Sequence, residues 1–259
     1  MKKNILCVTA LFLIVFVSNS FSQTVEKYID DAEKFYKEFN NEKALEVLKK
    51  AEALDANNFD VLWMLSRTYV DIADKMPTST SEQEKAQSKM FETALEYADK
   101  SVKKDGNKSA GLLRRAIANG KIALFKGVFS VAGVVNSVKA DVEKAIQLNN
   151  GGSFVQGVAH YVLARTHSRT SEKWKPARSV LGLGWADNEI ALKEFKKAIE
   201  IYPGYMMFYV DYALSLIKED EYDTARQMLN KALTCEFQHQ DDEKRLAEAK
   251  KLLVDIKNK

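Results

Sequence analysis

The sequence predicts an all-α protein in which pairs of helices repeat along the chain. Two stretches of the 259 residues match each other at a spacing of 34. Helices are favoured over strands because only 3 prolines and 11 glycines interrupt the sequence, and no segment shows sustained alternation of apolar and polar residues. The hydrophobic content of 46% is enough to bury a core, which argues against global disorder.

The internal match has the pattern of a helical repeat. The pattern A-x3-F-x2-A-x4-P at Ala191, Phe195, Ala198 and Pro203 recurs in part 34 residues later, at Ala225, Leu229 and Ala232. A period of 34 is typical of the tetratricopeptide repeat, a helix–turn–helix unit. The alanines are expected where two helices approach closely, and each pair buries its apolar face by stacking on the next pair. The predicted fold is therefore a tetratricopeptide-like solenoid.

About five helix pairs and a C-terminal capping helix account for the chain. We expect the first helices of the pairs at residues 24–40, from 61, at 110–125, from 160 and at 205–217. Their partners are expected at residues 42–54, 94–102, 139–148, 189–201 and 222–233. A last helix follows Asp241, and its polar outer face would close the end of the solenoid.

Two insertions, at about residues 73–90 and 169–187, interrupt the regular spacing of this single domain of residues 23–259. In the first, Ser81 and Glu84 predict a capping box. The second contains Trp174 and Trp185, and it is either a partner-binding element or a plug packed on the solenoid. The apolar stretch 127–138 is predicted to be a buried helix, with membrane contact as the alternative.

The first 22 residues are predicted to be a signal peptide. Lys2 and Lys3 precede an uncharged stretch at residues 5–17, and Ser20 and Ser22 have the spacing that signal peptidase requires. Cleavage after Ser22 would make the mature chain periplasmic or secreted. The apolar stretch is shorter than the ~20 residues of a transmembrane helix, so no transmembrane span is expected in the mature chain.

Charge and cysteine content limit the partners and the covalent links that are expected. Loss of two lysines with the leader would reduce the net charge from +3 to about +1, which does not favour nucleic acid as a partner. Cys235 would be the one cysteine of the mature chain, so no internal disulfide can form. We expect no cofactor.

Several segments resemble the regulator of microtubule dynamics family and its bacterial relatives. These are LWMLSRTY at residues 62–69, ALEYA at 94–98, VEKAI at 142–146 and HYVLAR at 160–165, with the insertion that contains Gly182 and Gly184. The resemblance covers roughly residues 59–233. The sequence is also similar to the T component of TRAP-type transporters, which implies partnership with a substrate-binding protein. The family name implies a microtubule role, which we do not transfer to an exported chain.

An enzyme is disfavoured. His160 and His167 are seven residues apart, whereas helical metal ligands are normally four apart. The sequence contains no HExxH, GxSxG or P-loop motif. We predict neither catalytic residues nor metal ligands, and an enzymatic role would require one of these histidines to be exposed beside a carboxylate.

The first helix of each pair is expected to line a concave groove. The inward positions are Asp60, Trp63, Arg67 and Val70 on the second pair and Val158, Tyr161, Arg165 and Ser168 on the fourth, with Tyr36 and Arg114 extending the groove. A guanidinium can bind a carboxylate in bidentate fashion, and an adjacent aromatic ring adds apolar area. The alternative is that each arginine pairs with an acidic residue of the next helix.

The sequence therefore predicts a non-catalytic exported scaffold that binds a protein or peptide partner in its concave surface. The alternative is an accessory protein of a transporter that binds a small carboxylate. An open groove longer than ten residues would favour the peptide, and a closed apolar cavity with Arg67 or Arg165 in its wall would favour the small carboxylate.

Overall fold

Helices form most of the computed structural model, which describes residues 24–126 and 132–259. The twelve helices in these ranges are α1 (24–37), α2 (Asn41–Leu54), α3 (Phe59–Lys75), α4 (Ser81–Lys104), α5 (Ser109–Lys126), α6 (Ala132–Leu148), α7 (Gly152–Ser171), α8 (Lys175–Val180), α9 (Asn188–Ile201), α10 (Met206–Ile217), α11 (Tyr222–Ala232) and α12 (Asp242–Asp255). The predicted signal peptide lies outside the described residues.

The helices form a solenoid of pairs stacked in chain order. The pairs are α1 with α2, α3 with α4, α5 with α6, α7 with α9, and α10 with α11, while α12 packs on the last pair. No strand occurs in the described ranges. The prediction of an all-α helical-repeat solenoid is confirmed.

Small residues bring the helices of a pair close together. The repeat alanines Ala191, Ala198, Ala225 and Ala232 are all 0% exposed. On the facing side of α7, a Cβ added to Gly157 would lie 2.9 Å from Cβ of Tyr202, which no native contact tolerates. Larger side chains at these positions would push the helices apart.

The first insertion consists mainly of helix extensions. Helix α3 continues to Lys75 and α4 starts at Ser81, so residues 76–80 form the connecting loop. The capping box predicted at Ser81 and Glu84 is wrong by one residue. The Thr80 side chain accepts from the backbone N–H of Gln83, and the Gln83 side chain accepts from that of Thr80, because extended backbone at Thr80 directs its hydroxyl into the first turn.

The stretch predicted as a buried helix at residues 127–138 is described only from residue 132 onward. There it begins α6, and Val135 and Val138 are buried. Val135 packs with Ala123 of α5 and Leu183 of the second insertion. Among the helices of the described residues, none combines the length and apolarity required to cross a membrane.

Replacing a repeat alanine tests the close approach of α7 and α9. Ala198→Leu is expected to lower the free energy of unfolding by about 1–3 kcal/mol, because the larger side chain overpacks a fully buried contact. Urea unfolding followed by circular dichroism measures the change. The control Ala247→Leu lies on the exposed surface of α12 and should change stability by less than about 0.5 kcal/mol. Equal losses in the two variants would contradict the prediction.

Candidate functional site: the concave cavity

A cavity of about 230 Å³ lies on the concave side of the solenoid. The first helix of every pair contributes to its wall, and α6, α12 and the loop before α12 complete it. One residue from each first helix is Tyr36, Asp71, Arg114, Tyr161 and Met207 in chain order. The stacking of the repeats therefore brings side chains that are far apart in sequence into one pocket.

The loop before α12 closes the concave side, and we call residues 238–241 of this loop the clasp. The Gln240 amide donates to the Asp71 carbonyl at 2.6 Å and accepts from the Asn41 amide at 2.8 Å. His239 Nε2 lies 3.8 Å from Oδ1 of Asp71. The first and last repeats thus meet across the concave surface, and the space between them is a cavity rather than a long open groove.

Hydrogen bonds hold the clasp at the start of α12, and one side chain of the clasp is charged when protonated. The Asp242 carboxylate accepts backbone N–H groups from Gln238 at 2.7 Å and His239 at 2.8 Å, which fixes the loop at the start of α12. Burial opposes protonation of His239, but the carboxylates of Asp71, Asp241 and Asp242 outweigh it and raise the pKa of the imidazole. The protonated imidazole is therefore favoured in the closed arrangement.

An ion-pair network occupies the other end of the cavity. Asp211 of α10 accepts from the Tyr161 hydroxyl at 2.6 Å, and Nε of Arg165 lies 3.1 Å from it. Arg245 of α12 approaches the same carboxylate at 3.5 Å. Burial would raise the pKa of Asp211, but the two guanidinium groups hold it below its usual value. Arg165 therefore lies in the cavity wall with its charge already compensated.

Arg67 is also neutralised by an acidic neighbour. Its guanidinium lies 2.8 Å from Glu33 of α1 and stacks on the Tyr36 ring at 3.6 Å from the ring centre. It is buried and is not among the residues that line the cavity. For both Arg67 and Arg165, the structure has the alternative arrangement, in which the arginine pairs with an acidic residue of a neighbouring helix.

Arg114 differs from these two arginines. It lines the cavity, yet no acceptor within the described residues takes a hydrogen bond from it, and its enclosed Nε is unsatisfied. Burial and the nearby charge of Arg67 hold the pKa of Arg114 below its ordinary value, although a guanidinium remains protonated at neutral pH. The cavity wall therefore holds an unpaired positive charge.

Two tyrosines of the same wall keep their hydroxyl protons. Burial, reinforced by the Asp71 charge, raises the pKa of Tyr36 to about 12. Burial also raises the pKa of Tyr205 well above its ordinary value, and the Asp71 charge adds to the effect. Both hydroxyls remain available as hydrogen-bond donors.

The other predicted groove positions divide between the cavity and the surface. Val70 and Val158 line the cavity beside Tyr161 and Arg165, and Ser168 lines a smaller pocket next to it. Asp60 is exposed at the start of α3 and accepts from the Trp63 indole at 2.9 Å. The Trp63 ring lies 5.0 Å from the Arg67 guanidinium and 5.9 Å from that of Arg114, so it packs behind the cavity.

The two tryptophans of the second insertion have different environments. Trp185 is half-buried, donates to the Asn136 amide oxygen at 2.8 Å and packs on His167 at 5.0 Å between ring centres. Trp185 therefore packs on the solenoid, but it is not among the residues that line the cavity. Trp174 is 73% exposed at the N-terminus of α8 and contributes nothing to the cavity wall.

The histidines considered for an enzymatic role are not exposed. His160 Nδ1 lies 2.6 Å from Glu194, but its side chain is only 13% exposed. His167 is buried and accepts from the Asp187 backbone at 3.3 Å, and burial lowers its pKa. No cluster of His, Cys, Asp and Glu suited to a metal ion occurs in the described part of the chain.

Comparison with known proteins places this architecture in a family. A family model described as "Regulator of microtubule dynamics protein 1-3" matches residues 28–257. The chain belongs to the regulator of microtubule dynamics family. The resemblance expected from the sequence is thereby confirmed. The Bos taurus regulator of microtubule dynamics protein 1 is 29% identical over 125 residues, which are 48% of this chain and 38% of that protein. The match therefore spans well under half of the relative's length.

Solved structures support the repeat fold of this family member. A thermophilic TPR protein of Thermus thermophilus has a TM-score of 0.62 and 14% identity, over 89% of this chain and 99% of that one. The pilF protein of Pseudomonas aeruginosa has a TM-score of 0.53 and 15% identity, over 91% and 87% of the two chains. At these identities the likeness establishes the tetratricopeptide-like fold alone.

Sequence reasoning missed most of the cavity lining of this family member, including Asp71, Tyr205 and His239. Asp71 lies one turn after Arg67 and directly follows Val70, so a register that ended at Val70 stopped one residue short of it. Tyr205 immediately precedes α10, where a helix-face argument does not apply. His239 belongs to a loop whose position depends on contacts with the first repeats, for which a single sequence carries no signal.

The charge on His239 makes the clasp sensitive to pH. Because the pKa of His239 is raised on folding, its stabilising contribution is complete below about pH 6.5 and is lost as pH rises through the folded-state pKa. We expect the coupling energy between His239→Gln and Asp71→Asn, measured by a double-mutant cycle of unfolding, to be largest near about pH 5.5 and smallest near about pH 8.5. A coupling energy that is unchanged across this range would contradict the assignment.

Proposed function

We propose that this chain is a non-catalytic scaffold that binds a protein partner through its concave cavity. The observation that carries the proposal is the cavity itself, which all five first helices line together. Stacked helical repeats characteristically use such concave surfaces for binding. The proposal rests on this geometry, since the fold by itself does not determine function.

The shape of the cavity suggests which part of a partner enters it. The clasp joins Asp71 to Gln240 across the concave side, so an extended segment cannot run through the full length of the solenoid. A volume of about 230 Å³ is below the roughly 300–1,000 Å³ of typical small-molecule pockets. The cavity therefore suits one or two residues at the end of a partner chain.

A small-ligand accessory protein of a transporter is the second candidate. It is favoured by the small volume of the cavity and by Arg114 in its wall, whose enclosed Nε has no hydrogen-bond partner within the described residues. In both candidate functions the concave cavity is the binding site. The two functions differ in whether a protein or a small molecule binds there.

Site-specific photo-crosslinking tests binding of a protein in the cavity. A photoreactive phenylalanine analogue at Leu124, which lines the cavity edge and is 63% exposed, is expected to trap a discrete protein in the cells that make this chain. The matched control is Val254, which is 72% exposed on α12 and does not line the cavity. The same analogue at Val254 should not trap that protein.

The crosslinked products decide between the candidates. A protein trapped at both positions, or only at Val254, would overturn binding through the cavity. Absence of any protein product at Leu124 would instead favour the small-ligand accessory.

We also propose that the chain is exported and that its leader is removed after Ser22. The basic start, the uncharged stretch and the small residues before Gln23 support this proposal. The name of the bovine relative refers to microtubule dynamics, and this name applies to the bovine protein alone. Export would separate this chain from such a role.

N-terminal sequencing of the protein from cell fractions tests export. We expect the periplasmic or extracellular fraction to contain a chain that begins at Gln23, because the small residues at Ser20 and Ser22 direct cleavage there. A cytoplasmic chain that retains Met1 would contradict export. The microtubule role that the family name implies would then have to be considered for this chain.

A further inference from the structure

Among the lysines and arginines that line the cavity, Arg114 stands apart because it lacks an acidic partner. Four cavity cations have partners. Lys121 lies 2.6 Å from Asp74, Arg165 lies 3.1 Å from Asp211, Arg169 lies 3.6 Å from Glu172, and Arg245 lies 2.9 Å from Glu248. For Arg114, by contrast, the described residues provide no ion pair and no hydrogen-bond acceptor, and its Nε is enclosed without a partner.

Two further hydrogen-bond donors lie beside Arg114. Tyr36 and Tyr205 line the same cavity, and neither hydroxyl makes a hydrogen bond within the described residues. The three side chains come from α1, α5 and the residue before α10, and they are close enough to alter one another's charge equilibria. The repeats therefore bring together one guanidinium and two phenols, all of them donors.

An unpaired cation in such a place is unfavourable without a ligand. Arg114 is only 8% exposed, and burying a charge without a directly contacting ion pair or hydrogen-bond acceptor lowers stability. A bound anion would remove this penalty and would accept hydrogen bonds from both phenols. Polar groups that lower the stability of the unliganded protein and line the same cavity are typical of a binding site.

We propose that Arg114, with the hydroxyls of Tyr36 and Tyr205, binds a carboxylate that is attached to an apolar body. This inference rests on the proposed function and names the chemical group that the cavity recognises. The planar guanidinium matches a carboxylate in bidentate geometry. Apolar side chains of the same cavity receive the rest of the ligand, and they include Val70, Ile117, Val158 and Met207.

The neighbouring acidic residue favours a carboxylate over a phosphate. Asp71 lines the cavity with an enclosed Oδ2 that has no hydrogen-bond partner, so a negative charge remains close to Arg114. This charge opposes a doubly charged anion more strongly than a singly charged one. The C-terminal carboxylate of a partner chain that ends in an apolar residue has the required charge and shape.

Calorimetric titration of the purified protein tests the proposal. The probe is a pool of acetylated tetrapeptides that end in Leu, Ile, Val, Phe or Tyr with a free carboxylate. The matched pool carries C-terminal amides. Phenylpropionate represents a small carboxylate, and inorganic phosphate represents a doubly charged anion. We expect the free acids to bind ~10- to 100-fold more tightly than the amides, since the amide loses the charged hydrogen bonds.

Variants separate Arg114 from the general charge of the cavity. Arg114→Met should weaken binding of the free acids ~10- to 100-fold, and Arg114→Lys should recover part of the loss because it restores charge without the bidentate geometry. The control Lys121→Gln removes a cavity cation that is already paired with Asp74 and should leave affinity nearly unchanged. The melting temperature of unliganded Arg114→Met should be no lower than that of the wild type, because a buried cation that makes no direct ion pair is removed.

The outcomes separate this inference from the proposed function. Tight binding of phenylpropionate without the peptides would support the carboxylate site and identify the ligand as a small molecule. Equal binding of acids and amides, absence of binding by any carboxylate, preference for phosphate, or equal losses in Arg114→Met and Lys121→Gln would each overturn the inference. A protein trapped at Leu124 but unaffected by Arg114→Met would preserve the proposed function and overturn the carboxylate assignment.

Discussion

The rest of this structure depends on the short distance between packed helices. Alanines such as Ala191 and Ala198 have no exposed surface, and Gly157 leaves no space for a Cβ. Because a helix pair cannot bury its apolar face alone, each pair must stack on the next at the separation that these small residues permit. The separation in turn sets the curvature of the solenoid. The curvature is what turns five first helices toward one cavity.

Charge compensation then determines what that cavity can do. The guanidinium groups of Arg67 and Arg165 lie against Glu33 and Asp211, so most of their electrostatic interaction is satisfied within the protein. Arg114 lacks such a partner within the described residues. Three arginines on three successive first helices therefore differ in their pairing although they look equivalent in sequence. The difference arises from the acidic residues that the neighbouring helices supply.

The sequence was sufficient to predict the fold because the determinants of the fold are local. The repeat spacing located α9, α10 and α11 to within one or two residues, since their alanines and ends are set within each repeat. The capping box was displaced by one residue because both Thr80 and Ser81 are followed three positions later by a suitable partner. The conformation of the preceding loop determines which of these two residues caps the helix.

The candidate site was predictable only in part because it depends on distant contacts. Inward positions on α7 followed from helical periodicity, which placed Tyr161 and Arg165 in the cavity wall. The pairing of each arginine could not be predicted, because its partner lies on another helix at a distance that sequence spacing does not encode. The contact of Gln240 with Asp71 joins residues 169 positions apart and has no signature in a single sequence.

The clasp also changes the way in which the repeat array should unfold. An open solenoid behaves as a one-dimensional chain of units that fray independently from either end. The hydrogen bonds from Gln240 to Asp71 and from Asn41 to Gln240 convert this array into a ring, because they connect its first and last units. Neither end can then open without loss of contacts to the other, so cooperativity extends over the whole array. The same long-range closure lengthens the average loop that must form during folding, which makes ring closure a late and slow event.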